Sequence, residues 1–276
     1  MSLGVVFKAP DGVVLAADSR ATLFKPLPPV PTGERLILAA TFDNATKLLQ
    51  FEKQSHLGAV TFGAAVIGKV HARSAQSFLP QFEASLPEDP MTVEQFAKQL
   101  AAFYGEQWRD AGMPDPAPEP MVFGVAGYDP GSLVGSIFEV SIPLAPAPRR
   151  ILADDAYGAW WGGQRGYVDR LLNGFDQDGL KVLLDYFNVP AAKRDPGALN
   201  DHLKERLGAP VPWQFLSLQD CVSFSAFLIR TTIGMQSWTV DVRGVGGAVD
   251  VATITPTRGF KAVKVKEIVL EQAISG

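Results

Sequence analysis

One cysteine and three histidines are all that 276 residues supply, and this scarcity excludes several kinds of chemistry at once. A lone Cys221 cannot build an intrachain disulfide framework, and a reduced, cytoplasmic setting is the simplest reading. His56, His71 and His202 are scattered without ligand spacing, so together with one thiol they leave little material for a zinc site. No metal and no cofactor is expected. The same three residues offer no placed base for a Ser-His-Asp triad, so a nucleophile here must find its base elsewhere. Positive charge is short as well: 25 Lys and Arg against 29 Asp and Glu leave a net charge of −4 with no basic cluster. Nothing in that balance supports nucleic acid as a partner. Long apolar runs are missing too. The longest, Gly58 to Gly68, is too short for a bilayer, and no basic segment precedes the first apolar run, so neither a membrane span nor a secretory signal is expected.

What the chain does have is a globular composition and clear punctuation. Leu3–Ala9 and Gly12–Asp18 read as strands joined by Pro10-Asp11-Gly12, and their Val, Leu and Phe fall on both parities, as in a sheet covered on both faces. Residues 25–33 and 113–120 are Pro-rich and read as extended loops. Leu36–Thr41, Thr46–Phe51 and Gly58–Val66 read as further strands. A first helix is expected within Gly68–Leu86, bent or shortened at Pro80. Thr92-Val-Glu-Gln95 is a capping box that opens a second helix, with Val93, Phe96, Leu100, Phe103, Tyr104 and Trp108 as its buried stripe. Met121–Tyr128 and Ser136–Pro143 form a hairpin, Gly166–Phe175 and Gly179–Phe187 helices, and Pro190–Pro212 an irregular insertion. Ser217 caps a helix that runs to about Trp238 and buries Cys221, Phe224, Leu228 and Met235; Ala248–Thr255 and Phe260–Val265 close the chain as strands. Segregated blocks of this kind predict an α+β fold with helices outside antiparallel sheets. A single domain spanning 1–276 is expected, with Pro-rich insertions near 25–33, 113–120 and 190–212.

The candidate chemistry begins at Ser2. If Met1 is removed, one residue carries both a nucleophilic hydroxyl and a free amine. The first hairpin then acts as a ruler: pairing Ala9 with Gly12 sets Asp18 opposite Leu3, and opposed residues lie only about 4.5–5.5 Å apart. The turn thus returns a carboxylate to the neighbourhood of Ser2. A lysine added to such a pair would have its pKa pulled up by the carboxylate and down by the ammonium and by burial. The plainer alternatives are that Ser2 merely starts a strand and that Asp18 merely forms a turn.

Gly12-Val-Val-Leu-Ala-Ala-Asp18-Ser-Arg-Ala-Thr22 resembles the early signature of proteasome β-type subunits, and the Ser2-to-Asp18 interval is similar to theirs. Asp43-Asn-Ala-Thr-Lys47-Leu-Leu resembles the segment bearing that family's active-site lysine, Gly58–Ala65 the strand that follows, and Gly244–Ile254 an element near the family's end. The resemblance implies a bacterial-type relative with the four-layer αββα sandwich of N-terminal nucleophile (Ntn) hydrolases, a peptidase in which Ser2 attacks and its own amine is the base. By the same resemblance Asp18 and Lys47 tune the hydroxyl, the Gly63 amide holds the oxyanion, and Asp241 supports the site. Thr22 would bind an extended peptide, and Leu49, Thr61 and Ala65 would form the first specificity pocket. Peptide or unfolded-protein substrates, a homo-oligomer and an unidentified ATPase or activator are the implied partners. Departures are Ser for the usual Thr, an enlarged Asp18-to-Lys47 interval, Trp160-Trp-Gly-Gly163 where a Ser-Gly pair is usual, and no propeptide. A non-catalytic ring subunit and a small-molecule amidase or acylase are the competing expectations.

Overall fold

The computed structural model describes residues 2–26, 36–69, 71–189, 196–240 and 242–266. Strands β1 (Leu3–Ala9) and β2 (Gly12–Asp18) form where the apolar pattern sets them, and every residue of both is buried. They pair antiparallel with Ala9 opposite Gly12 and Gly4 opposite Ala17, the register the turn dictates. β3 (Ala21–Pro26) and β4 (Leu36–Phe42) make a separate two-stranded ribbon. β5 (Leu48–Gln50), β6 (Leu57–Gly63), β7 (Met121–Tyr128), β8 (Gly135–Ile142) and β9 (Ala145–Arg150) form one sheet in that order. β10 (Gly158–Gly163), β1, β2, β11 (Val249–Thr255) and β12 (Gly259–Lys264) form the other. The described helices are α1 (Leu79–Ser85), α2 (Val93–Asp110), α3 (Gly166–Asn173), α4 (Gln177–Tyr186), α5 (Pro196–Leu207) and α6 (Leu218–Gln236). The class is α+β, with three antiparallel sheets where two were expected.

Three apolar clusters fix how these parts pack. Leu3, Val5, Phe7, Leu228 and Ile229 fill the space between one sheet and α6. Val6, Leu15, Val60, Ile137 and Trp160 lie between the two large sheets. Phe51, Phe82, Phe96, Tyr104 and Phe123 join the other sheet to α1 and α2. Alternate residues of β1 therefore serve two different cores, which is why its pattern is apolar throughout. The Thr92 capping box forms, with Thr92 Oγ1 accepting from the Gln95 amide and the Gln95 side chain accepting from the Thr92 amide. Trp108 and Tyr104 close that core, their polar atoms donating to the Pro114 and Ala75 carbonyls. Truncating Trp108 to alanine would cost about 3–5 kcal/mol.

Several expectations need correction. Residues 25 and 26 belong to β3 rather than to a loop, and 27–35 lie outside the described residues. Residues 64–66 follow β6 without strand pairing. Pro80 sits in the first turn of α1, where a missing N–H costs nothing, so it starts the helix rather than bending it. Residues 196–207 of the supposed irregular insertion are helical; 190–195 lie outside the described residues. β9 and β10 were not foreseen. The two prolines of β9 are tolerated because, among the described residues, it is an edge strand with a ladder on one side only. Met235 is 44% exposed, off the buried face of α6. Among the described residues no helix is long and apolar enough to cross a membrane.

Candidate active site

Ser2 stands at the open end of β1, 5% exposed, with its carbonyl accepting a 2.7 Å hydrogen bond from the Gln164 amide just beyond β10. Gly163 is what permits this approach. Its φ is +89°, and a Cβ there would lie 2.0 Å from the Ser2 carbonyl oxygen. The Trp-Trp-Gly-Gly sequence thus ends on a residue that no side chain could replace.

The hairpin ruler predicted a carboxylate beside the first residues, and Asp18 is there, fully buried. Its Oδ1 accepts from the Leu3 amide at 3.0 Å and from Lys47 Nζ at 2.7 Å. Its Oδ2 accepts from the Arg20 amide at 3.1 Å and the Gly246 amide at 3.0 Å. Four donors satisfy a charge that burial would otherwise make prohibitive. Lys47 is 6% exposed and donates a second hydrogen bond, 2.6 Å, to the Arg20 carbonyl. Burial drives its pKa below the ordinary lysine value, opposed by the charge and hydrogen bond of Asp18.

The long interval between Asp18 and Lys47 is absorbed by the β3–β4 ribbon, whose pairing of Ala21 with Phe42 brings the chain back to its starting point. Arg20 then locks the return. It forks onto Asp43 at 2.6 and 2.7 Å, and the Ala45 amide donates to the Ser19 carbonyl at 2.8 Å. Gly247, at a φ of +72°, is required where this lock closes, since a Cβ there would lie 2.4 Å from the Asp43 carbonyl oxygen, and a Cβ on Gly246 would displace the Arg20 guanidinium. A second pair, of a buried carboxylate and a partly buried lysine, adjoins the first through Ser19, and nothing in the sequence singles out the two together. Asp250 accepts from Lys266 Nζ at 2.5 Å, and both contact Ser19 Oγ at 3.3 Å. Asp250 could have been suspected as a carboxylate inside an apolar strand, but Lys266 carries no local signal.

A cavity of about 490 Å³ opens in front of these groups, and Ser2, Lys47, Thr22, Thr61, Gly63 and Ala65 all line it. Gly63 has a φ of +86° and no room for a Cβ, which would sit 2.0 Å from the Pro120 carbonyl oxygen. Thr61 commits its hydroxyl to the Val122 carbonyl at 3.0 Å. Thr22 is the exception: 8% exposed, its hydroxyl has no hydrogen-bond partner among the described residues. Leu49 is not part of this wall. It is fully buried in the core under α1 and α2, because adjacent residues of β5 face opposite sides of the sheet. Asp241 lies outside the described residues. The assembled groups provide a saturated carboxylate, a cation with a lowered pKa and a hydroxyl residue at the mouth of an apolar cavity, a combination suited to activating a nucleophile.

Comparison with solved structures places this fold beside Anbu proteins. The chain matches an Anbu (Gly-1) mutant from Hyphomicrobium sp. strain MC1 with a TM-score of 0.54 and 13% identity, over 99% of this chain and 89% of that one. It matches Anbu, described as an ancestral β-subunit, from Yersinia bercovieri with a TM-score of 0.52 and 15% identity, over 95% of this chain and 87% of that one. No protein-family model matches the sequence, and no curated protein does. These findings correct the family assignment drawn from the motifs. Identity of 13–15% carries a likeness of fold and no more, so the chain is not assigned to the proteasome β-type subunits or to the Ntn hydrolase superfamily. Two of the motif glycines have a local reason of their own: Gly63 and Gly247 have positive φ and stand where a Cβ would collide with a backbone carbonyl. Such positions report backbone crowding and cannot by themselves report descent.

Proposed function

We propose that the protein hydrolyses peptide bonds, with Ser2 as nucleophile once Met1 has been removed. The observation that carries the reading is the buried Lys47–Asp18 pair, 2.7 Å apart, whose carboxylate also accepts from the amide next to Ser2 and whose lysine shares a cavity wall with it. In this reading the Ser2 hydroxyl gives its proton to the α-amine of the same residue while Oγ bonds to the substrate carbonyl carbon. The ammonium then returns that proton to the leaving amine as the C–N bond breaks, and water hydrolyses the resulting ester by the same route. Cationic Lys47 lowers the cost of the developing alkoxide, and Asp18 holds it in place. The Gly63 amide serves the oxyanion, removal of such a donor typically costing about 100- to 1,000-fold. Thr22, Thr61 and Ala65 contact the substrate, and the unpartnered Thr22 hydroxyl is the polar group with most to gain from a bound peptide.

The same reading takes the succession helix, sheet, sheet, helix as one four-layer αββα domain with the site at the edge between its sheets. It also takes the working form to be a homo-oligomer that limits access to the cavity. Intact-mass measurement should show the loss of Met1, and a peptide epoxyketone, which requires both hydroxyl and amine on one residue, should add to Ser2. Ser2→Ala should abolish hydrolysis and labelling while leaving the circular dichroism spectrum unchanged. Turnover retained by that variant would assign the activity to another residue.

A further inference from the structure

A second cavity, about 440 Å³, runs along strand β10 on the side away from β1, and Ala159, Trp160, Trp161, Gly162 and Gly163 all line it. Among the described residues β10 is the terminal strand of its sheet, paired on one side only. The pairing pattern says which of its main-chain groups face outward. The Gln164 amide donates to the Ser2 carbonyl, so the position opposite Ser2 is hydrogen-bonded to β1. Antiparallel ladders alternate, and with Leu3 opposite Gly163 and Val5 opposite Trp161, the N–H and C=O groups of Ala159 and Trp161 point away from β1. An edge of that kind is a template for an added strand.

The groove leads to Ser2. Gly163 lines it, and the site for a Cβ on that residue lies 2.0 Å from the Ser2 carbonyl oxygen. Phe62 forms a wall of both this cavity and the one containing Ser2, packed against Trp160 with ring centroids 5.5 Å apart. The charged groups on the groove are three cations and one carboxylate: Arg149, Arg165, Lys204 and Glu139. Two of the cations are committed, Arg149 to Glu139 at 2.9 Å and Arg165 to Asp169 at 2.7 and 3.0 Å. Lys204, on α5, has no carboxylate at ion-pair distance among the described residues.

We propose that this groove binds the leaving-group side of the substrate as a strand added to β10, with Lys204 receiving its C-terminal carboxylate. The preferred substrates are then short peptides with a free C-terminus that ends a few residues beyond the cleaved bond. The proposal rests on the hydrolytic reading for its substrate, and its test separates the two.

The probe is acetyl-penta-alanine as the free acid and as the carboxamide, titrated into the Ser2→Ala protein with amide hydrogen exchange as the readout. The acid should slow exchange across residues 158–163, bind several-fold more tightly than the amide, and lose that advantage in Ser2→Ala/Lys204→Gln. Absence of protection at millimolar peptide, or protection confined to residues 21–23, would overturn the groove. Equal binding of acid and amide would overturn the role of Lys204. Protection of 158–163 that rises with protein concentration alone would assign the edge to a second copy of the chain and overturn the proposal. Protection by peptide together with failure of the epoxyketone to label Ser2 would leave the groove standing and remove the hydrolytic reading.

Discussion

Among the described residues two lysines are buried, at opposite ends of the first hairpin, and their environments differ in one respect that bears on chemistry. Lys8 is 2% exposed and Lys47 is 6% exposed, and burial lowers the pKa of both. Lys8 donates to two neutral carbonyl oxygens, Ala153 at 2.8 Å and Asp154 at 2.9 Å, and so closes the segment between β9 and β10. Lys47 donates to a buried carboxylate and faces a cavity that also contains Ser2. Burial alone therefore does not mark a candidate functional lysine. What distinguishes Lys47 is a fixed opposite charge on one side and open space on the other, so its cation is held in place yet reachable.

The comparison breaks most sharply under substitution. Lys47→Ala should slow Ser2 labelling and hydrolysis by about 100- to 1,000-fold, the scale of one lost electrostatic partner of the transition state. Lys8→Met should leave the rate constant of labelling unchanged; a comparable loss there would make the two lysines equivalent and sink the distinction. Lys8→Met should instead reduce stability by about 1–3 kcal/mol through two carbonyls left without a donor, seen as a lower urea midpoint.

Titration sharpens the contrast further. If cationic Lys47 supports the reaction, the rate should fall on the alkaline side at a pH below 10.5, the ordinary lysine value, because burial outweighs Asp18. Asp18→Asn removes the group that raises the Lys47 pKa and should move that limb to still lower pH; an unmoved limb would detach it from Lys47. In stability the slope has the same sign as for a salt-bridged carboxylate, but its origin is a burial penalty that is relieved as the lysine loses its proton. Between its lowered value and 10.5 the unfolded chain binds more protons than the folded one, so the Lys47 contribution rises with pH across that window.

Smaller effects are expected one layer back. Asp250→Asn should slow labelling by about two- to tenfold, since it reaches Lys47 only through Ser19 and long-range charge. Thr22→Val should be the mildest in the free protein, neutral or stabilising by up to about 1 kcal/mol, because the hydroxyl it removes has no partner among the described residues. The same variant should raise KM for peptides without lowering kcat for bound substrate; an unchanged KM would remove Thr22 from the binding surface.

The legible parts of this molecule were those whose signal is local. A Pro-Asp-Gly turn sets one register, and that register alone delivers Asp18 to the Leu3 amide. Capping boxes at Thr92 and Ser217 mark two helices to within a residue. Failures fell where a partner, rather than the segment itself, decides the outcome. β10 has four glycines and tryptophans in its last four positions and becomes a strand because β1 presents a ladder to it. Leu49 looked like a pocket residue beside Lys47, but strand alternation turns it into the opposite core. Motif likeness misled about family for a related reason, since glycines forced by crowding look alike in unrelated chains.

Sequence alone determined the hairpin, the principal helices, the α+β class and the scarcity of thiol and imidazole that limits the chemistry available. Only the tertiary structure decided that Lys47 meets Asp18 across 29 residues, that Gly246 and the Asp250–Lys266 pair complete the charge network, and that β10 keeps an open edge beside Ser2. The reason is range. Turn and capping preferences act within a few residues and are written in order along the chain, whereas a buried charge must be satisfied by whatever donors packing brings to it.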